Sequence, residues 1–240
     1  MRLLLVLAAC SRPPVCPPDL GYATYDRVET PATPELQRLV EQALPSLGIR
    51  EPAAAAPVAA LVQAHARSWV FWSTALRGRP ERTRILSELR RVGLPDVFAM
   101  IPYGATAYDP EALGPHGERG LWLLPPDVPG LRVEGCRYVE GERGERWVDH
   151  CTVDERTDPG RSTSAALARL RVVWEATGHD VLATLRSSAP NAHVVVAQFL
   201  AAVCSDASAD ATRFPRAETA HCSGLDVPSP ERVSAAYDPP

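Results

Sequence analysis

Residues 94–122, LPDVFAMIPYGATAYDPEALGPHGERGLW, constrain the fold more than any other stretch. Gly93 and Pro95 end one helix and begin another, since glycine accepts the left-handed turn after a helix and proline cannot continue it. The apolar run Val97 to Tyr103 predicts a buried helix that finishes in small residues, Gly104-Ala105-Thr106-Ala107. Tyr108-Asp109-Pro110 then turns the chain into a glycine-rich loop that closes on Gly120-Leu121-Trp122. A buried helix ending in small residues, with aromatics at both limits of the stretch, reads as the wall of a groove. A general acid or base is expected at that helix end. The sequence puts none there.

The flanking segments are helical. Thr33 and Pro34 start a helix whose face is Leu36, Leu39, Val40, Ala43 and Leu44. After a break at 48–57, a second helix is expected over 57–76, with Trp69, Phe71 and Trp72 as core rather than a sugar platform. Pro80, Ile85, Leu86, Leu89 and Val92 give a third helix, 80–92, capped by Gly93. Residues 127–152 alternate apolar and charged residues around Gly141 and Gly144, which suggests a small hairpin or ordered loop. Helices follow from Asp158-Pro159 or Ser162 to Gly178, over 180–187 behind Asp180, and over 191–204. The remainder, 205–240, is rich in Ser, Ala, Asp and Pro and reads as a loose tail. The expected class is mainly α.

The 240 residues, 45% hydrophobic, have room for one well-packed domain with extensions. All 25 basic residues are arginine, and the net charge of -4 gives no electrostatic case for nucleic acid. The start, MRLLLVLAAC, is too short to span a bilayer and resembles the end of a secretion signal. Within it, Leu7-Ala8-Ala9-Cys10 is similar to the lipobox of bacterial lipoproteins, in which the cysteine is acylated. That organisation gives a signal segment at 1–10, a proline-rich tether at 11–33, N-terminal helices at 34–78, and a domain at 79–204. The cysteines show no zinc spacing. With Cys10 acylated, near neighbours pair as Cys136–Cys151 and Cys204–Cys222 and leave Cys16 over, though spacing leaves other pairings open. An oxidising compartment fits such bridges.

Over residues 84–191 the sequence resembles the catalytic domain of lytic transglycosylases, the SLT-type branch of the lysozyme-like superfamily that includes goose-type lysozyme. The membrane-bound D-type enzymes look most similar. Three stretches carry the resemblance. Arg91-Val92-Gly93-Leu94-Pro95 leads through Ile101-Pro102 to Ala107-Tyr108-Asp109-Pro110. Gly120-Leu121-Trp122 follows, with Pro126 shortly after. The third runs Val153-Asp154-Glu155-Arg156-Thr157-Asp158-Pro159, then Arg161-Ser162-Thr163 and Ala165-Ala166. The resemblance implies a lysozyme-like helical domain with a small disulfide-stapled insertion. It also implies action on the link between N-acetylmuramic acid and N-acetylglucosamine in peptidoglycan. In that family one glutamate protonates the leaving oxygen, and the sugar's own hydroxyl closes an anhydro product. No second carboxylate is needed, unlike ordinary glycosidases. The single acid must be partly buried to keep its proton.

The position of that glutamate is Ala105, followed by Thr106 where the family has serine. The family's Gln after Gly-Leu-Trp is Leu123, and its Tyr-Asn pair falls on Ser188-Ala189. The nearest replacement acids are Asp109, expected to form the turn before Pro110, and Glu111, expected to be solvated like Glu118. His116, His150, His179 and His193 are scattered, and no metal or cofactor motif is present. Asp154, Glu155 and Arg156 read as a structural ion-pair and capping cluster.

The expectation is therefore a catalytically inactive, exported, lipid-anchored protein. It would bind glycan strands through Tyr103, Thr106, Tyr108, Trp122 and Ser188, or scaffold envelope proteins. The alternatives are an active transglycosylase with a displaced carboxylate and a partner-binding lipoprotein with no glycan contact.

Overall fold

The computed structural model describes residues 31–66, 68–114, 117–140, 146–189 and 191–209. Side-chain caps set most of the helix starts. Thr33 accepts from the Leu36 amide and Pro34 occupies the first turn of α1, Pro34–Ala43. Helix α2 is Ala55–Ala66 and α3 is Trp69–Arg77. The single helix expected over 57–76 is thus two. Ser68 interrupts it in an extended conformation, and its hydroxyl accepts from the Phe71 amide at 3.2 Å. Capping at a serine competes with helix continuation, and here the cap prevails. As the sequence suggested, Phe71 and Trp72 are core.

Helix α4, Arg79–Val92, ends at Gly93 with φ +72°, the left-handed cap expected there. The apolar run that follows is not one α-helix. Asp96–Met100 winds as a 3₁₀ segment, and α5, Ile101–Thr106, completes it. Pro102 lies in the first turn of α5, where a missing amide is tolerated. Two small antiparallel ladders follow: β1 (Val133–Glu134) pairs with β4 (Val153–Asp154), and β2 (Arg137–Glu140) with β3 (Arg146–His150). The Cys136–Cys151 disulfide staples the inner pair, as its spacing suggested. Asp158 caps α6, Pro159–Ala176, and Asp180 caps α7, Val181–Ser188. Asn191 accepts from the amides of His193 and Val194 at the start of α8, Ala192–Ala209. That helix runs past Cys204, where the sequence suggested a loose tail, and it carries 205–209 in regular structure.

The molecule is mainly helical. Helices α2 and α8 form the most extensive helix pair, and the 96–100 segment packs on α8. Val58, Phe98, Leu185 and Val196 meet in the core with no exposed surface. A smaller cluster, Leu124, Val128 and Ala166, sits beside it, and Trp122 packs against both. Cys10, Cys16 and Cys222 lie outside the described residues, as do the signal segment, most of the tether, 210–240, and any pairing of Cys204.

Candidate functional site

The end of α5 is built by two consecutive left-handed residues, Ala107 at φ +54° and Tyr108 at φ +63°. Neither is glycine, so the conformation is held by its surroundings rather than by intrinsic preference. The Ala107 amide donates to Tyr103 O at 2.9 Å, which closes the helix end. Tyr108 then turns inward. Its hydroxyl donates to Ala99 O at 2.9 Å, and its ring stands edge-on to Tyr103 at 5.9 Å. A Cβ on Gly78 would come within 2.0 Å of the Tyr108 ring, so Gly78 must be glycine for the ring to fit. Tyr108 is 4% exposed. It was expected to line a groove, and the structure makes it core. Burying the ring and satisfying its hydroxyl on a backbone carbonyl outweigh the cost of the positive φ.

Tyr103 and Trp122 are only partly buried. Each has its polar end turned into the protein: Tyr103 Oη donates to Phe71 O at 3.3 Å, and Trp122 Nε1 to Thr163 Oγ1 at 3.1 Å. Thr106, also half-buried, places its hydroxyl 2.9 Å from Leu121 O and 3.0 Å from Pro102 O. This ties the end of α5 to the Gly-Leu-Trp turn. Ala105, half-buried beside it, brings no ionisable group to the helix end. Ser188 ends α7 and is half-buried. Among the described residues no hydrogen bond joins Ser188 to Tyr103, Thr106 or Trp122.

The acids considered as replacements have other work. Asp109 Oδ1 accepts from the Glu111 amide at 2.9 Å, an Asx turn, and the residue is exposed. Glu111 pairs with Arg119 at 3.1 Å, and its side chain is 64% exposed. Neither carboxylate is buried, and burial is what a solitary general acid requires.

Beneath the Gly-Leu-Trp turn lies the charged cluster read from the sequence as structural. Arg156 has no exposed surface. It donates to Asp154 from Nε at 2.8 Å and from Nη2 at 2.7 Å, a bidentate pair. Its Nη1 reaches Gly117 O at 2.6 Å and Leu124 O at 3.2 Å. Arg119 approaches the same aspartate at 3.7 Å. Glu155 accepts from the Arg132 amide and pairs with Arg161. Gly120, at φ +79°, is packed so tightly that a Cβ there would lie 1.9 Å from Arg156 O. The three stretches singled out in the sequence therefore converge. Thr106 holds Leu121, Gly120 sits on Arg156, and Trp122 is fixed by Thr163.

A cavity of about 990 Å³ lies elsewhere, bordered by the turn at Gly48, by α4, by the 93–97 link, by the α6–α7 turn and by α8. None of Tyr103, Ala105, Thr106, Trp122 and Ser188 borders it. Sequence reasoning missed this space, yet one signal was present. Arg82 falls at helical spacing within the apolar stripe of Ile85, Leu86 and Leu89, and the structure buries it to 4% exposure. A charged residue at the head of such a stripe is buried only where the protein supplies it with polar partners, here Ala75 O at 3.0 Å among them. Among the described residues no group of His, Cys, Asp and Glu is arranged to hold a metal. No family model matches the chain, and no curated protein does.

Proposed function

We propose that this chain is an exported, lytic-transglycosylase-like protein that does not cut glycan strands. It binds them, or scaffolds envelope proteins on them, from a lipid anchor at Cys10. The observation that carries the reading is the convergence of the three motif stretches around a helix end that bears Ala105. The packing of the three stretches onto one another at that helix end supports the reading, and Ala105 brings no acid to it. The Cys136–Cys151 bridge supports export, because such bridges persist in oxidising compartments. Trp122 and Tyr103 are the residues left to stack on sugar rings, Tyr108 having gone to the core.

Retention on purified peptidoglycan sacculi tests the binding half. The full chain is expected to sediment with sacculi, and Trp122→Ala to lose about tenfold in apparent affinity, the size of one good aromatic stacking contact. Negligible retention of both forms sinks glycan binding. Muropeptide analysis tests the other half, and no anhydro-sugar product is expected. Release of such a product that disappears in Glu111→Gln or Asp109→Asn would replace the inactive reading with a displaced acid.

A further inference from the structure

We propose that the cavity between α4, the 93–97 link, the α6–α7 turn and α8 binds an uncharged ligand with a fused aromatic ring system. The inference stands apart from the glycan reading, because none of Tyr103, Thr106, Trp122 and Ser188 borders this space. At about 990 Å³ the cavity falls within the range of sites that enclose small organic molecules. Its apolar wall is surface that the core leaves partly uncovered. Leu47, Leu86 and Trp174 pack against the core yet are only partly buried, and all three border the cavity together with Leu94 and Phe199. Trp174 is steadied by edge contact with Phe98 at 5.7 Å and by stacking on His179 at 5.2 Å. A flat ligand therefore meets an aromatic surface already in place, and little ordering is left to be done on binding.

The charged residues of the lining are engaged by the protein or stand in water. Arg90 and Asp96 hold each other, with Asp96 Oδ2 receiving Nε at 3.0 Å and Nη2 at 2.6 Å. Asp180 Oδ1 caps α7 through the Ala183 amide at 2.8 Å. Arg82, nearly fully buried, is held by the protein through contacts that include Ala75 O at 3.0 Å. Arg50 is exposed on the turn that Gly48 makes at φ +77°, where water screens its charge. A charged ligand head placed among these groups gives up its hydration and must compete with contacts the fold already makes. An uncharged ring leaves every one of them intact and covers the apolar wall at Leu47, Leu86 and Trp174.

Fluorescence titration of the full chain with N-phenylnaphthylamine, an uncharged probe that brightens in apolar surroundings, tests this. Saturable binding is expected. Naphthylmethanol is expected to displace the probe, and naphthoate and naphthylmethylammonium, with the same ring and a charge of either sign, to compete at least about tenfold more weakly. Leu86→Trp, which fills the space, and Leu47→Asn, which sets an amide in its wall, are each expected to weaken probe binding at least about tenfold. Both positions are only partly buried, and thermal melts check that the variants fold; where a midpoint falls, the competition series on the unaltered chain decides alone. The proposal is overturned by the absence of saturable binding, by either ion competing as well as the alcohol, or by undiminished binding in folded Leu86→Trp. Retention on sacculi is expected to be the same in Leu47→Asn as in the unaltered chain, so failure here and failure of the glycan reading are distinguishable.

Discussion

At the scale of single residues, the loop around Gly120 is fixed by contacts that admit no substitution. An alanine Cβ at Gly120 would meet the Arg156 carbonyl at 1.9 Å in a backbone conformation, φ +79°, that side chains rarely adopt. Gly120→Ala is therefore expected to lower stability by roughly 2 to 4 kcal/mol, measured as a drop in the urea midpoint at unchanged slope. Arg156 works from the opposite side of the same contact. Arg156→Met removes the bidentate partner of Asp154, leaving it Arg119 at 3.7 Å, and strands two loop carbonyls; it is expected to cost about 3 to 5 kcal/mol. Asp154→Leu in the same chain should recover part of that loss, because the weakly paired buried carboxylate goes with it; no recovery would mean the carbonyl contacts dominate. Tyr108 shows the limit of reading residues alone. Its place before Asp-Pro marks a turn, but its direction depends on the empty space above Gly78, a residue 30 positions away.

At the scale of elements, caps written in the sequence carried most of the information. Thr33, Asp158 and Asp180 start helices where expected, because a short polar side chain satisfies an amide that has no partner in the first turn. The split at Ser68 and the 3₁₀ winding at 96–100 escaped the same rules. Apolar periodicity continues across both; the Ser68 cap marks the first break, and the burial of Phe71, Trp72 and Phe98 in one core accompanies both. The two small ladders are joined by the Cys136–Cys151 link across 15 positions. Reducing that bond, or Cys136→Ser with Cys151→Ser, is expected to lower stability by about 3 kcal/mol in the chain-entropy account. Thermal melts with and without reductant would check it. An unchanged midpoint would show that the ladders unfold independently of the helical core.

At the scale of the whole molecule, one buried histidine couples the fold to pH. His65 in α2 has no exposed surface, and its ring lies 4.7 Å from that of Phe71. Burial lowers its pKa from 6.5 to about 4. Above pH 6.5 the imidazole is neutral in both folded and unfolded chains and contributes nothing. Below that, the unfolded chain gains a proton that the folded one refuses, so stability falls until the folded pKa near 4 is reached. The loss amounts to about 3 kcal/mol across that window. His193, lowered by burial and then by the Arg186 guanidinium, acts in the same direction. Denaturant unfolding at several pH values between 4 and 7 should show the slope, and His65→Leu should flatten it. An equal slope in the variant would place the acid sensitivity elsewhere.

The sequence by itself determined that the chain is mainly helical, where most helices begin, and that no carboxylate stands at position 105; the Cys136–Cys151 bridge was one pairing among several until the structure joined it. These properties are local, set by caps, periodicity and residue identity. Only the tertiary structure decided that Tyr108 is core while Trp122 and Tyr103 stay partly exposed, and that Arg82 borders a cavity between elements distant in sequence. A side chain's direction is chosen by whichever neighbours bury its apolar area and satisfy its polar atoms. Those neighbours come from remote parts of the chain, beyond the reach of any local pattern.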